Sequence, residues 1–107
     1  MIPDAGDELA RAVRACFVYS PGQVEIAKVA SLPWASITFS GARHRLMLQL
    51  RGPGAKVAAA SFLDGLQERE FRLRGHIVAD IAALGDLGEV GEDSVAVTLD
   101  ALTVVAA

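Results

Sequence analysis

The segment Arg51-Gly52-Pro53-Gly54-Ala55-Lys56 sets two cations around two glycines, at the point where an alternating apolar run gives way to a helical pattern. A strand-to-helix turn of this kind is a generic anion site, because flexible glycines and the free N–H groups of a helix start can approach an oxyanion closely. Arg51, Gly52, Gly54 and Lys56 are therefore the candidate contacts for a small ligand or anion. The segment lacks the Gly-Lys-Ser/Thr of a nucleotide loop, and an ordinary turn with solvated charges has the same composition.

A second candidate is electrostatic. Residues 43–76 carry seven basic and three acidic side chains, whereas residues 77–107 carry six acids and no base, within a net charge of −3. Arg43 and Arg45 point one way from their strand, and Arg72, Arg74 and His76 point one way from theirs, so adjoining strands would merge them into one basic face. Nucleic-acid binding asks for such a patch to be unneutralised and interleaved with aromatics. The polar face offers no aromatic beyond Trp34, and the chain is acidic overall. Neutralisation by the acidic block, within the fold or across an interface, is the expected state. An antiparallel pairing of the last two strands would set Arg74 opposite Asp100. Self-association or a protein partner is expected, and nucleic acid is not.

The remaining chemistry is sparse. His44 ends an apolar row and reads as a strand histidine held by a hydrogen bond. His76 and Asp80 share a strand face but lie about 13 Å apart along it, so an acid–base pair would need a group from another strand, such as Asp100. That makes a small enzyme the third reading, behind assembly and ligand binding. Cys16 falls on an apolar helical stripe and reads as a small core residue. Two distant histidines and one cysteine do not supply a metal's three or four convergent ligands. Gly85, Gly88 and Gly91 stand among Asp86, Glu89 and Glu92, which would repel a phosphate. No cofactor and no metal are expected.

These residues need elements to hold them. The chain has 107 residues, of which 52% are hydrophobic, and it reads as one domain, residues 1–107. The apolar content suffices for a core and leaves surplus for a subunit interface. A lone cysteine fits a reducing compartment. The acidic start, Met1-Ile2-Pro3-Asp4, has no apolar core of a signal peptide, and no uncharged run is long enough for a bilayer. A cytoplasmic protein without membrane contact is the expectation.

Leu9, Val13, Cys16 and Phe17 recur at helical spacing over 5–18, with Asp4 or Asp7 as cap and Ser20-Pro21-Gly22 as stop. A strand is predicted at 24–31. Ala35, Ile37 and Phe39 alternate before Gly41-Ala42, and His44, Leu46, Leu48 and Leu50 alternate after it. A two-residue turn there, with Gly41 at positive φ, pairs Phe39 with His44 and Ile37 with Leu46. A helix over 55–67 and a strand over 70–80 follow, as a crossover that sets 43–51 and 70–80 parallel. Residues 82–93 read as a solvated acidic loop and 95–105 as the last strand, too apolar for a free end. The prediction is an α+β domain, α-β-β-β-α-β-β, with a mixed sheet of about five strands and two helices on one face.

The element order resembles the tail-terminator and tail-completion proteins of phages and gene-transfer agents, over roughly residues 40–105. So do the stretches Ala42-Arg43-His44-Arg45-Leu46-Met47-Leu48, Phe71-Arg72-Leu73-Arg74-Gly75-His76-Ile77-Val78 and Val97-Thr98-Leu99-Asp100-Ala101-Leu102. The resemblance implies a small ring-forming subunit with no catalytic residues. The tight turn at Gly41-Ala42 and the acidic stretch 82–93 depart from that family, which usually projects a long loop from this hairpin.

Overall fold

The computed structural model describes residues 4–18, 22–85, 88–91 and 93–106. Helix α1 runs Ala5–Ala15 behind an Asp4 cap, whose Oδ1 accepts the Asp7 N–H at 3.0 Å. Strands β1 (Gln23–Ala35) and β2 (Ser40–Arg51) precede helix α2 (Ala55–Leu63) and a 3-10 turn at Leu66–Glu68. Strands β3 (His76–Ala83), β4 (Gly88–Gly91) and β5 (Ser94–Val105) complete the order.

Four strands stand in the order β1-β2-β5-β3, every pair antiparallel. The short β4 extends β3's side of β5, pairing Gly88 with Ala96 and Gly91 with Ser94. The class is α+β as expected, but the mixed sheet of about five strands is replaced by a four-stranded antiparallel one with this extension. The strand predicted at 24–31 lies within β1, whereas of the predicted hairpin arm at 35–40 only Ala35 belongs to β1, residues 36–39 forming the turn and Ser40 opening β2. Strands β2 and β3 run the same way but do not touch, because β5 lies between them. A chain end rich in Val, Leu and Thr thereby satisfies both of its edges inside the sheet.

The hairpin turn falls at 36–39, not at Gly41-Ala42. Ser36 N donates to Phe39 O at 2.7 Å, and Phe39 N donates to Ser36 Oγ at 3.0 Å. Ala35 pairs with Ser40, and Ser31 with His44. This register and the expected one differ by an even number of residues, so both keep the apolar row on one face. The observed register wins because it pairs all of β2, Ser40 to Arg51, where the expected one would pair a short arm. Gly41 does not have a positive φ. It is needed for another reason: a Cβ there would overlap the Thr103 carbonyl of β5.

Three further boundaries shift. The helix over 55–67 stops at Leu63, and β3 starts at His76 rather than at 70. Ahead of it, Gly75 at φ 78° turns the chain so that Leu73 bridges His76. Strand β3 then runs on to Ala83, and β4 occupies part of the expected 82–93 loop. Met1 to Pro3, the Ser20-Pro21 stop signal, and Asp86 and Glu92 of the acidic stretch lie outside the described residues.

The core forms on one face only. His44, Leu46, Leu48 and Leu50 of β2 and Val95, Val97, Leu99, Ala101 and Thr103 of β5 are buried. Leu9 and Val13 of α1 and Ala55, Ala59 and Phe62 of α2 join the same cluster. Both helices therefore cover this face. The rings of Phe17 and Phe62 meet 4.8 Å apart, tilted by 39°, and link the end of α1 to α2. Each fully buried leucine contributes about 1.5–3 kcal/mol.

Candidate functional site

The turn at 51–56 is tight. Gly52 and Gly54 have φ of 103° and 85°, and Gly54 caps α2 without a side-chain hydrogen bond. The Gly52 N–H is committed to Asp93 O at 2.8 Å. Arg51 donates to Gln49 Oε1 at 2.8 Å and approaches Glu25 at 3.9 Å, along the sheet and toward β1. Lys56 is exposed on the first turn of α2.

The five candidates for a basic face do not share one. Arg43 and Arg45 stand exposed on the uncovered face of β2; Arg45 pairs with Asp100 across the strands, and Arg43 Nη1 lies 3.8 Å from Asp100 Oδ2. Arg72 is exposed in the segment before β3. His76, next to Val105, points to the helix-covered side, where it lines a cleft. Arg74 is not on a strand and does not meet Asp100, which pairs with Ala82. Its backbone N and its Nε both donate to Glu8 Oε1, at 2.9 and 2.8 Å. Arg11 Nε donates to Glu8 Oε2 at 3.0 Å. Glu8 is only 3% exposed. The Arg74 side chain, then Arg11, then the Arg74 N–H hold its carboxyl down at about 2, against an ordinary 4.5.

An open cleft of about 730 Å³ lies between the start of α1, the end of the β1–β2 hairpin and the adjoining ends of β3 and β5. His44, 1% exposed, borders it. Its Nδ1 lies 2.7 Å from Ser31 Oγ and its Nε2 2.8 Å from Thr103 Oγ1. Thr103 Oγ1 in turn donates to Ala42 O at 3.4 Å. These partners assign the proton to Nε2: it donates to Thr103, and Nδ1 accepts from Ser31. The chain Ser31–His44–Thr103 ties β1, β2 and β5 together.

A serine on a histidine suggests nucleophilic chemistry, and the surroundings argue against it. To activate Ser31, His44 would have to become an imidazolium. Burial holds its pKa below the usual 6.5, Asp4 opposes that shift and His76 adds to it. The group on the far nitrogen is a hydroxyl, which does not stabilise an imidazolium as a carboxylate would. His76 and Asp100 lie on opposite faces of the sheet, since Val105 and Asp100 do. Ser31 and Thr103 escaped sequence reasoning because their link to His44 depends on the register. Among the described residues, no three metal-ligating side chains cluster, and no helix is long and apolar enough to cross a membrane.

Among the described residues, the second face of the sheet carries no helix. Directly paired residues share a face, so the register gives its rows. Trp34, Gly41, Val104 and Ile77 cross all four strands in one row. Leu32, Arg43, Leu102 and Asp80 form the next, and Ala30, Arg45, Asp100 and Ala82 the third. Lys28, Met47 and Thr98 follow. Leu32, Ile77 and Met47 are 69%, 57% and 45% exposed. The Trp34 Nε1 is buried with no acceptor among the described residues.

No protein-family model matches the chain, and no curated protein is similar to it. A chain in the solved virion of a native gene transfer agent particle is similar in structure, with a TM-score of 0.55 and 20% identity. The match covers 81% of this chain and 70% of that one. At this identity the likeness is one of fold. The fold is what this likeness shares with the resemblance read from the sequence, and the tail-terminator assignment is finer than it.

Proposed function

We propose that the protein is a non-catalytic assembly subunit that self-associates to build part of a phage-like particle, in the manner of a tail-terminator or tail-completion protein. The observation that carries this reading is the fold shared with a chain of a gene transfer agent virion. The two polar networks support it, because each ties elements of the fold together: Glu8 clamps α1 to the segment before β3, and His44 pins three strands. The uncovered sheet face supplies a surface for contact.

Sedimentation velocity from about 1 to 200 µM, with electron microscopy of any oligomer, tests the proposal, since obligate assemblies hold together at such concentrations. A discrete oligomer is the expected result. A monomer across the whole range would count against self-association.

A further inference from the structure

We infer that copies assemble side by side, the outer edge of β1 in one copy pairing antiparallel with the outer edge of β3 in the next, over residues 29–32 and 80–83. The inference rests on the assembly reading and names its interface.

The sheet leaves two different edges, and they run in opposite directions. Four strands alternate across it, so β1 and β3 are antiparallel to each other from its two ends. A rotation about an axis along the strands carries β3 of one copy beside β1 of the next and continues the alternation. Because the edges differ, the contact is heterologous. Each copy makes it twice, once with each edge, and the series closes as a ring.

Strand β1 is the edge that needs a neighbour. It is 13 residues long, Glu25 and Lys28 are its only charges, and residues 27–33 are all exposed. Strands seldom exceed about ten residues, and an edge strand is ordinarily short or guarded by a bulge, a lysine or a proline. Here the guards stand apart: a bulge between Ile26 and Lys28 on one side, Pro33 on the other. Residues 29–32 between them are unguarded. On β3, the bridge from Leu73 to His76 and the bulge between Val78 and Asp80 guard the first half and leave residues 80–83.

The two unguarded stretches lie at the same height, in the four rows from Leu32–Arg43–Leu102–Asp80 to Val29–Leu46–Leu99–Ala83. Without any shift along the strands, Leu32 meets the partner's Asp80 and Ser31 the partner's Ile81. Ala30 then meets the partner's Ala82, and Val29 the partner's Ala83. The backbone agrees. Ser36 N donates to Phe39 O within the hairpin, so by alternation Ser31 and Val29 turn their N–H and C=O away from β2. Leu84 N donates to Thr98 O of β5, so Ala83 and Ile81 turn theirs away from β5. Both outward pairs can therefore exchange backbone hydrogen bonds between copies. Beside Ala83, a hollow of about 280 Å³ lined also by Leu63, Gly65 and Leu66 lies where Val29 of the partner subunit arrives.

Two prolines test it by sedimentation velocity. Val29→Pro and Ala83→Pro each remove an outward N–H and leave the subunit's own ladder whole, and circular dichroism checks that each variant folds. Each alone should be a monomer at concentrations where the wild type associates. Mixed, the intact β3 of the first and the intact β1 of the second should form a one-to-one heterodimer that grows no further. If only Val29→Pro dissociates, β1 pairs with itself and the proposal is wrong. Folded variants that both assemble normally, or two monomers that fail to pair, also overturn it while self-association stands.

Should a proline unfold the chain, Leu32 and Asp80, both exposed, supply a second series. Leu32→Asp sets a carboxylate against the partner's Asp80 and should weaken each contact about two- to fivefold. Adding Asp80→Lys to the same chain should restore it. Unchanged assembly of Leu32→Asp, or no recovery in the double variant, overturns this pairing. A wild-type monomer overturns both this inference and the assembly reading.

Discussion

Arg74 places two donors on a single oxygen of Glu8: its backbone N–H at 2.9 Å and its Nε at 2.8 Å. The two residues are 66 positions apart, and between them they fasten α1 to the turn that launches β3. Arg11 occupies the other Glu8 oxygen.

Glu8→Gln removes the charge that these donors were placed to meet. The variant should fold, with a lower urea midpoint at pH 7. Because the Glu8 carboxyl is held at about 2 against an ordinary 4.5, its contribution is complete above about pH 4.5. It drains away as the pH falls from there toward 2. The wild-type midpoint should drop across that window, and the variant should show a shallower drop. Parallel curves for the two proteins would disprove the clamp.

His44 titrates with the same sign for a different reason. Burial lowers its pKa below the ordinary 6.5, so the folded state prefers the neutral ring. Stability should be full above about pH 6.5 and fall as the pH drops below it. His44→Leu should abolish that slope and cost about 1–3 kcal/mol, since the buried Thr103 hydroxyl loses its donor. Melting temperatures between pH 5 and 8 decide it. An NMR titration giving His44 a normal value would contradict the arrangement.

Gly41→Ala should be damaging although Gly41 has an ordinary φ, because the new methyl meets the Thr103 carbonyl. A loss on the order of 1–3 kcal/mol is expected. Ile37→Ser, in the turn and fully exposed, should stay within about 0.5 kcal/mol of the wild type. Thermal melts with the reverse order would return the turn to Gly41-Ala42.

Deleting residues 101–107 removes the half of β5 that pairs with both β2 and β3, together with the buried Ala101 and Thr103. The truncated chain should show no cooperative melt by circular dichroism. A sharp transition near the wild-type temperature would mean that the strand is dispensable.

Asp100→Asn removes the carboxylate that lies beside Arg43 and Arg45 on the open face. The stability change should not exceed about 1 kcal/mol, as for other partly exposed pairs. Retention on heparin should increase, and an unchanged salt-elution point would show that Asp100 does not mask the arginines.

The parts of the fold that could be read from the chain are those set by local period. Leu46, Leu48 and Leu50 announce a half-buried strand, and Leu9 and Val13 a helix, whatever lies around them. Register is a different matter. Pairing His44 with Ser31 or with Phe39 preserves the same inward row, so alternation cannot choose between them. The choice falls to Ser36, which closes the turn with its side chain, and to Gly41, which is squeezed by a strand sixty residues away. The candidate basic face failed on topology: nothing near Arg72 or Arg74 says that β5 will come between β3 and β2, or that Glu8 will capture Arg74. The open face carrying Leu32, Ile77 and Met47 was equally hidden, since its rows exist only once four strands are in register.

The central place of β5 has a consequence during synthesis. Strands β1, β2, β3 and β4 are all synthesised before residues 94–105. Until then the sheet is a lone hairpin, which is marginal in water, and separate segments with unsatisfied edges. The second edge of β2 and the inner edge of β3 lack their lasting neighbour, and the leucines of the inner face remain open to other chains. The nascent protein therefore waits, in its most aggregation-prone form, for its last strand.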